Sequence, residues 1–260
     1  MTDKTTGFIG GGRVVRILLG GFRKSGRMPE SIVVSDTNPG VLQKLKSDYP
    51  QIHIAPGNNR EAAKKDLVFL GLHPPALSGV LAEIKDCLEP ETLLVSLAPK
   101  ATLAKLSEWL GGFNRIVRMI PNAASIIGQG YNPVAFSEAI SPVDKDALKT
   151  YFGVLGKCPE VREEMLEAYA ILIAMGPTYL WFQLDELCKL AVSYGMSQTE
   201  AESGILEMGT GAMKTLFESD MTAAEVMDLI PVKPLGEEES TIRGIYRSKL
   251  EPLYRKLKNG

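Results

Sequence analysis

The stretch Gly7-Phe8-Ile9-Gly10-Gly11-Gly12-Arg13-Val14-Val15 decides the fold, because a short apolar run leads directly into a glycine-rich turn. Gly10 and Gly12 occupy the first two glycine positions of the G-x-G-x-x-G/A pattern, which joins a first strand to a helix and binds a dinucleotide pyrophosphate. The first glycine permits the tight turn, and the second lets the backbone approach the phosphates at the helix N-terminus. Val15 stands at the third position, where a small residue is usual. The pattern predicts a dinucleotide-binding βα unit at the start of the chain.

Outward from this turn, short apolar runs alternate with helical segments as far as about residue 160. The runs predicted to be strands are Thr6–Ile9, Ser31–Ser35, Ile52–Ile54, Asp66–Leu72, Thr92–Leu97 and Arg115–Met119. Beyond residue 160 the spacing is helical, and the predicted helices are Glu163–Gly176, Thr178–Ser193, Gln198–Glu218, Ala223–Leu229 and Thr241–Lys258. We therefore expect an α/β fold: a Rossmann-like doubly wound parallel sheet in residues 1–160, then an all-α domain in residues 161–260, whose composition suits a helix bundle or a dimerisation domain.

The composition of the 260-residue chain is that of an ordinary globular protein, with 45% hydrophobic residues and a formal net charge of −2. The mixed charges predict no nucleic-acid partner and no membrane anchor. No uninterrupted apolar run approaches the ~20 residues of a membrane span, and the start is unlike a signal peptide. Three widely spaced cysteines favour a reducing, cytoplasmic compartment, and only two histidines, His53 and His73, argue against a metal site.

Asp36 ends the second predicted strand, where an acidic residue typically hydrogen-bonds the ribose 2′-hydroxyl of NADH and repels the 2′-phosphate of NADPH. We therefore expect NAD(P)H as cofactor, with a preference for NADH. Alternatively, Asp36 only begins the turn Asp36-Thr37-Asn38-Pro39-Gly40, whose residue types suit a turn. Arg13 directly follows the glycine loop, where it either lies near the phosphates or adenine or is a solvated residue.

Motifs from both halves of the chain resemble those of pyrroline-5-carboxylate reductases. Besides the glycine loop, the matching segments are Asn58, Leu72-His73-Pro74, Val95-Ser96-Leu97-Ala98, Arg118-Met119-Ile120-Pro121-Asn122-Ala123-Ala124 and Gly176-Pro177-Thr178-Tyr179. The resemblance covers nearly the whole chain in the expected order. It implies hydride transfer from NAD(P)H to a cyclic imine, either 1-pyrroline-5-carboxylate in proline biosynthesis or a related imine. It also implies a homodimer or higher homo-oligomer formed through the C-terminal helices.

The glycine loop and the resemblance together predict the residues of the site. Those expected around the cofactor are Gly10, Gly12, Arg13, Val14, Asp36, Asn38, Asn58, Leu72, His73, Pro74, Ala98 and Asn122. Those expected around the substrate are Gly176, Pro177, Thr178, Ser240 and Thr241. The candidate catalytic groups are His73, Glu167 and Tyr179. His73 is a candidate because imidazole titrates near neutrality, although each of the three also suits a solvated, capping or packing role.

The substrate half departs from the resembled family. The stretch before Gly176 lacks the hydroxyl-bearing residues found there in the family, and Pro231–Thr241 replaces a shorter turn that holds a carboxylate. Glu237–Glu239 in this segment either complement the dipole of the following helix or favour a cationic imine without a carboxylate. Two other functions stay open: an oxidoreductase acting on a ketone or hydroxyacid, and a non-catalytic dinucleotide-binding regulator.

Overall fold

The structure is a computed structural model that describes residues 4–258, and the chain divides into two compact units. The first unit holds the residues up to Met175 together with the C-terminal stretch from Tyr254, and the second holds Gly176–Leu253. This division falls later in the chain than the boundary expected at residue 160. The reason is that Glu163 and Glu167 form ion pairs with Arg118, which lies in the sheet of the first unit.

A sheet of seven strands forms the centre of the first unit, in the order β3-β2-β1-β4-β5-β6-β8. The six parallel strands are β1 (Thr6–Ile9), β2 (Ile32–Asp36), β3 (His53–Pro56), β4 (Leu67–Leu70), β5 (Leu93–Ser96) and β6 (Ile116–Met119). The strand order reverses between β1 and β4, the kind of switch point at which doubly wound sheets bind ligands. The predicted doubly wound α/β fold is confirmed.

Helices connect these strands and cover both faces of the sheet. They are α1 (Arg13–Lys24), α2 (Pro39–Asp48), α3 (Asn59–Ala63), α4 (Pro74–Ile84) and α5 (Leu103–Trp109). Successive residues of a strand point to opposite faces, so Phe8 belongs to one apolar cluster and Ile9 to the other. Both faces are buried, which explains why the parallel strands are apolar runs without alternation.

Four elements between residues 130 and 157 were not predicted from the sequence. They are β7 (Gly130–Tyr131), β8 (Val134–Phe136), α6 (Pro142–Phe152) and β9 (Gly156–Lys157). The short β8 runs antiparallel to β6 and closes the sheet edge. A signal for α6 was present, because Ser141 caps the helix by accepting the Asp144 N–H at 3.1 Å and Pro142 follows at the first helical position.

The predicted helix Glu163–Gly176 is wrong as one regular helix. The chain instead forms a 3₁₀ turn, α7 (Leu166–Tyr169) and a π-helical turn at Ala170–Ala174. In a continuous α-helix the N–H of residue 177 would bond the carbonyl of Ile173, but Pro177 has no N–H. The Asn122 side-chain Nδ2 donates to that carbonyl instead, at 2.8 Å.

The remaining helices are α8 (Pro177–Ser193), α9 (Gln198–Glu218), α10 (Ala223–Asp228) and α11 (Glu239–Lys258). Capping boxes begin α9, through Ser197 and Glu200, and α10, through Thr222 and Glu225. These reciprocal hydrogen bonds satisfy helix N–H groups, and α9 has the predicted bounds. All of α8, α9 and α10 belong to the second unit, as does α11 up to Leu253.

One helical run, Glu163–Ser193, is long and apolar enough to cross a membrane by length and composition alone. It is not an uninterrupted apolar run, because charged residues such as Glu167, Asp185 and Lys189 lie within it. The evidence for a membrane span is weak, because packed helices of soluble proteins pass the same test. Two acids near its start, Glu163 and Glu167, bind the buried Arg118, which is a protein environment and not a lipid one.

Candidate active site

The glycine loop between β1 and α1 requires a glycine at position 10. Gly10 has a φ of +92°, and a Cβ there would lie 2.6 Å from the carbonyl oxygen of Gly71. Its N–H donates to the Ser35 carbonyl at 2.7 Å, which ties the turn to the end of β2. The left-handed backbone and the close approach to β4 together exclude any side chain at this position.

Gly12 meets a different requirement, because a Cβ at this position would contact nothing within 4 Å. Gly12 is the N-cap of α1, with no capping side chain and no acidic residue in the first turn. Open space therefore lies beside free N–H groups at the positive end of a helix dipole, which suits a phosphate group. These features fit the predicted pyrophosphate site. Arg13 is exposed and Val14 half-buried, both at the start of this helix.

Val15, at the third position of the glycine pattern, is fully buried. A Cβ on Gly71 would lie only 2.8 Å from the Val15 Cγ2 atom. The small residue that lets α1 pack against the sheet is therefore supplied by the end of β4. The chain thus keeps the close packing that the glycine pattern provides while departing from its third glycine.

Asp36 lies beside the glycine loop. Its Oδ2 accepts the Gly11 N–H at 2.7 Å, and its Oδ1 accepts the Asn38 N–H at 2.8 Å. The carboxylate is thereby fixed at the end of β2, where the ribose of a dinucleotide is expected. The hydrogen bonds confirm that Asp36 organises the turn, while its contact with a ribose hydroxyl stays a prediction. The Asn38 side chain caps α2 through the N–H groups of Gly40 and Val41.

The other residues predicted near the cofactor lie at or just beyond the carboxyl ends of strands. Asn58 caps α3, accepting the Glu61 N–H at 3.3 Å. His73, after β4, is exposed and precedes α4 without making a capping hydrogen bond with its side chain. Leu72 and Pro74 beside it are half-buried, and Ala98 after β5 is buried.

Asn122, after β6, is buried and its amide is used within the protein. Besides its bond to the Ile173 carbonyl, its Oδ1 accepts the Ala124 N–H at 2.9 Å. Its backbone N–H donates to the Asn132 side chain at 2.8 Å. Asn122 therefore positions the loop after β6 and the π-helical turn, which is a different role from the predicted direct amide contact to the cofactor.

A buried ion cluster that the sequence analysis missed lies near the same edge of the sheet. Arg118, on β6, is 1% exposed and donates to Glu163 at 2.9 Å and to Glu167 at 2.7 Å. Glu167 was predicted as a catalytic group, but its carboxylate is engaged by this guanidinium. The available signal was an arginine inside an otherwise apolar strand, since buried charges need a partner.

The residues predicted near the substrate lie in the second unit. Gly176, Pro177, Thr178 and Tyr179 begin α8, and Ser240 and Thr241 are exposed in the first turn of α11. The ring of Tyr179 meets that of Tyr246 edge to face at 6.0 Å. Partial burial raises the pKa of the Tyr179 hydroxyl, and the neighbouring Tyr246 adds to this shift. Glu239 forms an ion pair with Arg243 at 2.6 Å.

The described part of the chain, residues 4–258, contains no group of three or more His, Cys, Asp or Glu side chains arranged to hold a metal ion.

Comparisons with known proteins show what the chain is similar to. A protein family described as "NADP oxidoreductase coenzyme F420-dependent" matches residues 5–100. A pyrroline-5-carboxylate reductase of Methanosarcina acetivorans is 28% identical over 247 residues, covering 95% of this chain and 90% of the relative.

Two solved structures are similar over the full chain. A pyrroline-5-carboxylate reductase from Coxiella burnetii has a TM-score of 0.70 and 27% identity, covering 100% of this chain and 96% of that one. A Plasmodium falciparum pyrroline carboxylate reductase with NADP bound has a TM-score of 0.83, 21% identity and coverage of 100% and 98%, which shows a shared fold. The chain is therefore similar over nearly its whole length to pyrroline-5-carboxylate reductases.

Proposed function

We propose that the protein reduces a cyclic imine, 1-pyrroline-5-carboxylate, with NAD(P)H. The observation that carries this proposal is the open, uncapped N-terminus of α1 at Gly12, in a chain similar over most of its length to pyrroline-5-carboxylate reductases. When bound, the nicotinamide supplies the hydride. The protein contributes position, exclusion of water and a proton for the imine nitrogen.

Different residues bind the cofactor, surround the reacting end and supply the proton. The first turn of α1 binds the pyrophosphate, and Asp36 binds the adenosine ribose. The loops after β4, β5 and β6 surround the reacting end. His73 and Tyr179 are the proposed proton donors: His73 is exposed after β4, and Tyr179 is half-buried in the first turn of α8. Glu167 is reassigned to positioning, since its carboxylate binds Arg118.

The preferred cofactor is NADH. The Asp36 carboxylate holds its place through hydrogen bonds from the backbone N–H groups of Gly11 and Asn38. A fixed negative charge there accepts a ribose hydroxyl and repels a 2′-phosphate. Arg13, directly after the glycine loop, is a cation that would soften the repulsion, and it lies exposed at the start of α1.

The proposed substrate carries a carboxylate. The acidic segment Glu237–Glu239 argued for a cationic imine, but the charge of Glu239 is compensated by Arg243. The net charge that this segment would oppose to an anion is therefore smaller than the sequence indicated. Gly176, Pro177, Thr178, Ser240 and Thr241 remain the proposed substrate contacts of the second unit.

The proposed assembly is a homodimer formed through the second unit. Large apolar side chains of α8 and α9 are exposed there, including Trp181 (56%), Phe182 (67%) and Phe217 (77%). An apolar groove of about 1290 Å³ lies between α8, α10 and α11. Exposed apolar surface of this extent marks an interface. We place the enzyme in the cytoplasm, in proline biosynthesis; the half-buried, unpaired cysteines suit a reducing compartment.

Reduction assays with the purified full chain test this function. NADH or NADPH is mixed with 1-pyrroline-5-carboxylate, and the loss of nicotinamide absorbance is followed. We expect turnover with both cofactors and a higher kcat/KM with NADH. Tight NADH binding without turnover on any imine would contradict the proposal and favour the non-catalytic alternative, whereas turnover only on a ketone or hydroxyacid would favour the other oxidoreductase.

A further inference from the structure

Lys100, in the loop after β5, has a backbone conformation that a lysine rarely adopts. Its φ is 77°, and it is the only residue other than glycine with a positive φ among residues 4–258. The left-handed region is unfavourable for a residue with a Cβ, and glycine would occupy it without strain. Such strain persists where the surroundings enforce it, and it concentrates at functional sites.

The buried ion cluster enforces this conformation. The Lys100 N–H donates to Glu167 Oε1 at 3.2 Å, and the same oxygen accepts from Arg118 at 2.7 Å. Glu163 Oε1 binds Arg118 and also accepts the Leu103 N–H at 2.6 Å, at the start of α5. Two carboxylates fixed by one buried guanidinium therefore hold both ends of the loop.

The position of Lys100 assigns it to the reacting end of the site. β5 is two strands away from β1, since β4 lies between them. With strands about 4.8 Å apart, the end of β5 lies roughly 10 Å from the glycine loop. That distance separates Lys100 from the pyrophosphate at α1 and places it where a dinucleotide directs its nicotinamide.

The Lys100 ammonium is available for an anion. The side chain is half-buried, and none of the ion pairs found within residues 4–258 involves it. The two carboxylates that accept backbone N–H groups of the loop, those of Glu163 and Glu167, both form ion pairs with Arg118, which leaves this cluster a net charge of −1. A cation that is held in place, partly desolvated and without a carboxylate partner attracts a ligand carboxylate more strongly than a fully exposed one.

We infer that Lys100 binds the carboxylate of the imine substrate, and that the Arg118–Glu163–Glu167 cluster positions it for this purpose. The inference rests on the proposed function and adds the group that recognises the substrate's anionic part. It also accounts for a lysine at a position where glycine would be less strained.

The test compares two substrates that differ only in the carboxylate, 1-pyrroline-5-carboxylate and 1-pyrroline, with NADH and the full chain. In Lys100→Gly, we expect kcat/KM for the carboxylate substrate to fall about 10- to 100-fold, as for the loss of a charge-assisted hydrogen bond. We expect kcat/KM for 1-pyrroline to change less than about 2-fold, since that substrate has no carboxylate for Lys100 to bind. Because glycine relieves the strain, the melting temperature stays the same or rises by up to about 4 °C.

Two further variants complete the experiment. Lys100→Arg keeps the charge and retains most of the preference for the carboxylate substrate. Lys105→Gln removes a charge from the exposed face of α5 and leaves both substrates unaffected. An equal fall for both substrates in Lys100→Gly, or no fall for either, would overturn the inference while leaving the proposed function intact. A wild-type protein that reduces neither imine would overturn both.

Discussion

The two units bury their apolar residues very differently. In the first, β1, β4, β5 and β6 bury all of their residues. In the second, none of the 17 residues of α8 is buried, and of the 21 residues of α9 only Ala201 is buried. An apolar helix face needs a partner. The first unit therefore completes its own core, and the second exposes the apolar surface on which the proposed homodimer depends.

The largest expected effect comes from a substitution in the proposed dimer interface of the second unit. Phe182→Glu places a charge in the exposed apolar face of α8. We expect the proposed dimer to dissociate and activity to fall with it, because burying an unpaired charge in an interface is costly. Sedimentation measurements give the mass. Val143→Glu, at a 78% exposed apolar residue of α6, is the matched control and leaves the mass unchanged. A Phe182→Glu variant with the wild-type mass would refute the interface.

The second effect concerns the first unit, whose core includes a buried charge. Arg118→Met leaves Glu163 and Glu167 without a counter-charge, and we expect a loss of about 3–5 kcal/mol in the free energy of unfolding. Arg115→Met removes a more exposed arginine, paired with Asp144 at 3.2 Å, and costs about 1 kcal/mol or less. Denaturant titration measures both. Equal losses in the two variants would show that the burial of Arg118 adds nothing to its contribution to stability.

Much of the first unit could be predicted from the sequence, because a parallel strand buried on both faces appears as an uninterrupted apolar run. All six predicted strands are present, and Thr6–Ile9 has the predicted bounds. The capping box at Ser197 and Glu200 likewise makes the start of α9 predictable from the sequence. Local signals such as these depend only on neighbouring residues.

The rest depends on contacts that are distant in sequence. The break in the helix before Gly176 needs the Asn122 side chain, 51 residues away from the carbonyl that it binds. The conformation of Lys100 needs Glu167, which lies 67 residues further along the chain. No local pattern encodes these partners, so the site's glycine loop was predicted and its ion cluster was not.

A third prediction sharpens the cofactor assignment in the first unit. Asp36→Ser removes the fixed charge at the end of β2, and we expect the NADH preference to shift toward NADPH by about 10-fold, near 1.4 kcal/mol. The ratio of dissociation constants, measured by fluorescence titration, reports the shift. Asp48→Ser, at the end of α2, removes an acid away from the loop and serves as control. An unchanged ratio in Asp36→Ser would contradict the assigned role of this carboxylate.

The smallest expected effect is a pH dependence in the first unit. The Ser141 hydroxyl, with help from Arg115, lowers the pKa of the Asp144 carboxyl below its ordinary value of 3.8. Because the folded-state pKa is depressed, Asp144 stabilises the fold above the unfolded-state pKa, and this contribution is lost as the pH falls through the folded-state pKa. Asp144→Asn therefore costs about 1 kcal/mol at pH 7 and little at pH 2. A cost independent of pH would disprove this linkage.

The measurement that tests the central claim most directly is an NADH titration of Gly12→Ala, followed by fluorescence, beside the wild type. A Cβ at position 12 meets no protein atom within 4 Å, so the melting temperature stays near that of the wild type. It occupies the space assigned to the pyrophosphate, so affinity for NADH falls at least about 10-fold. Gly79→Ala, on α4 and equally free of contacts, retains wild-type binding. Wild-type affinity in Gly12→Ala would contradict the claim that the first unit binds its cofactor at this helix.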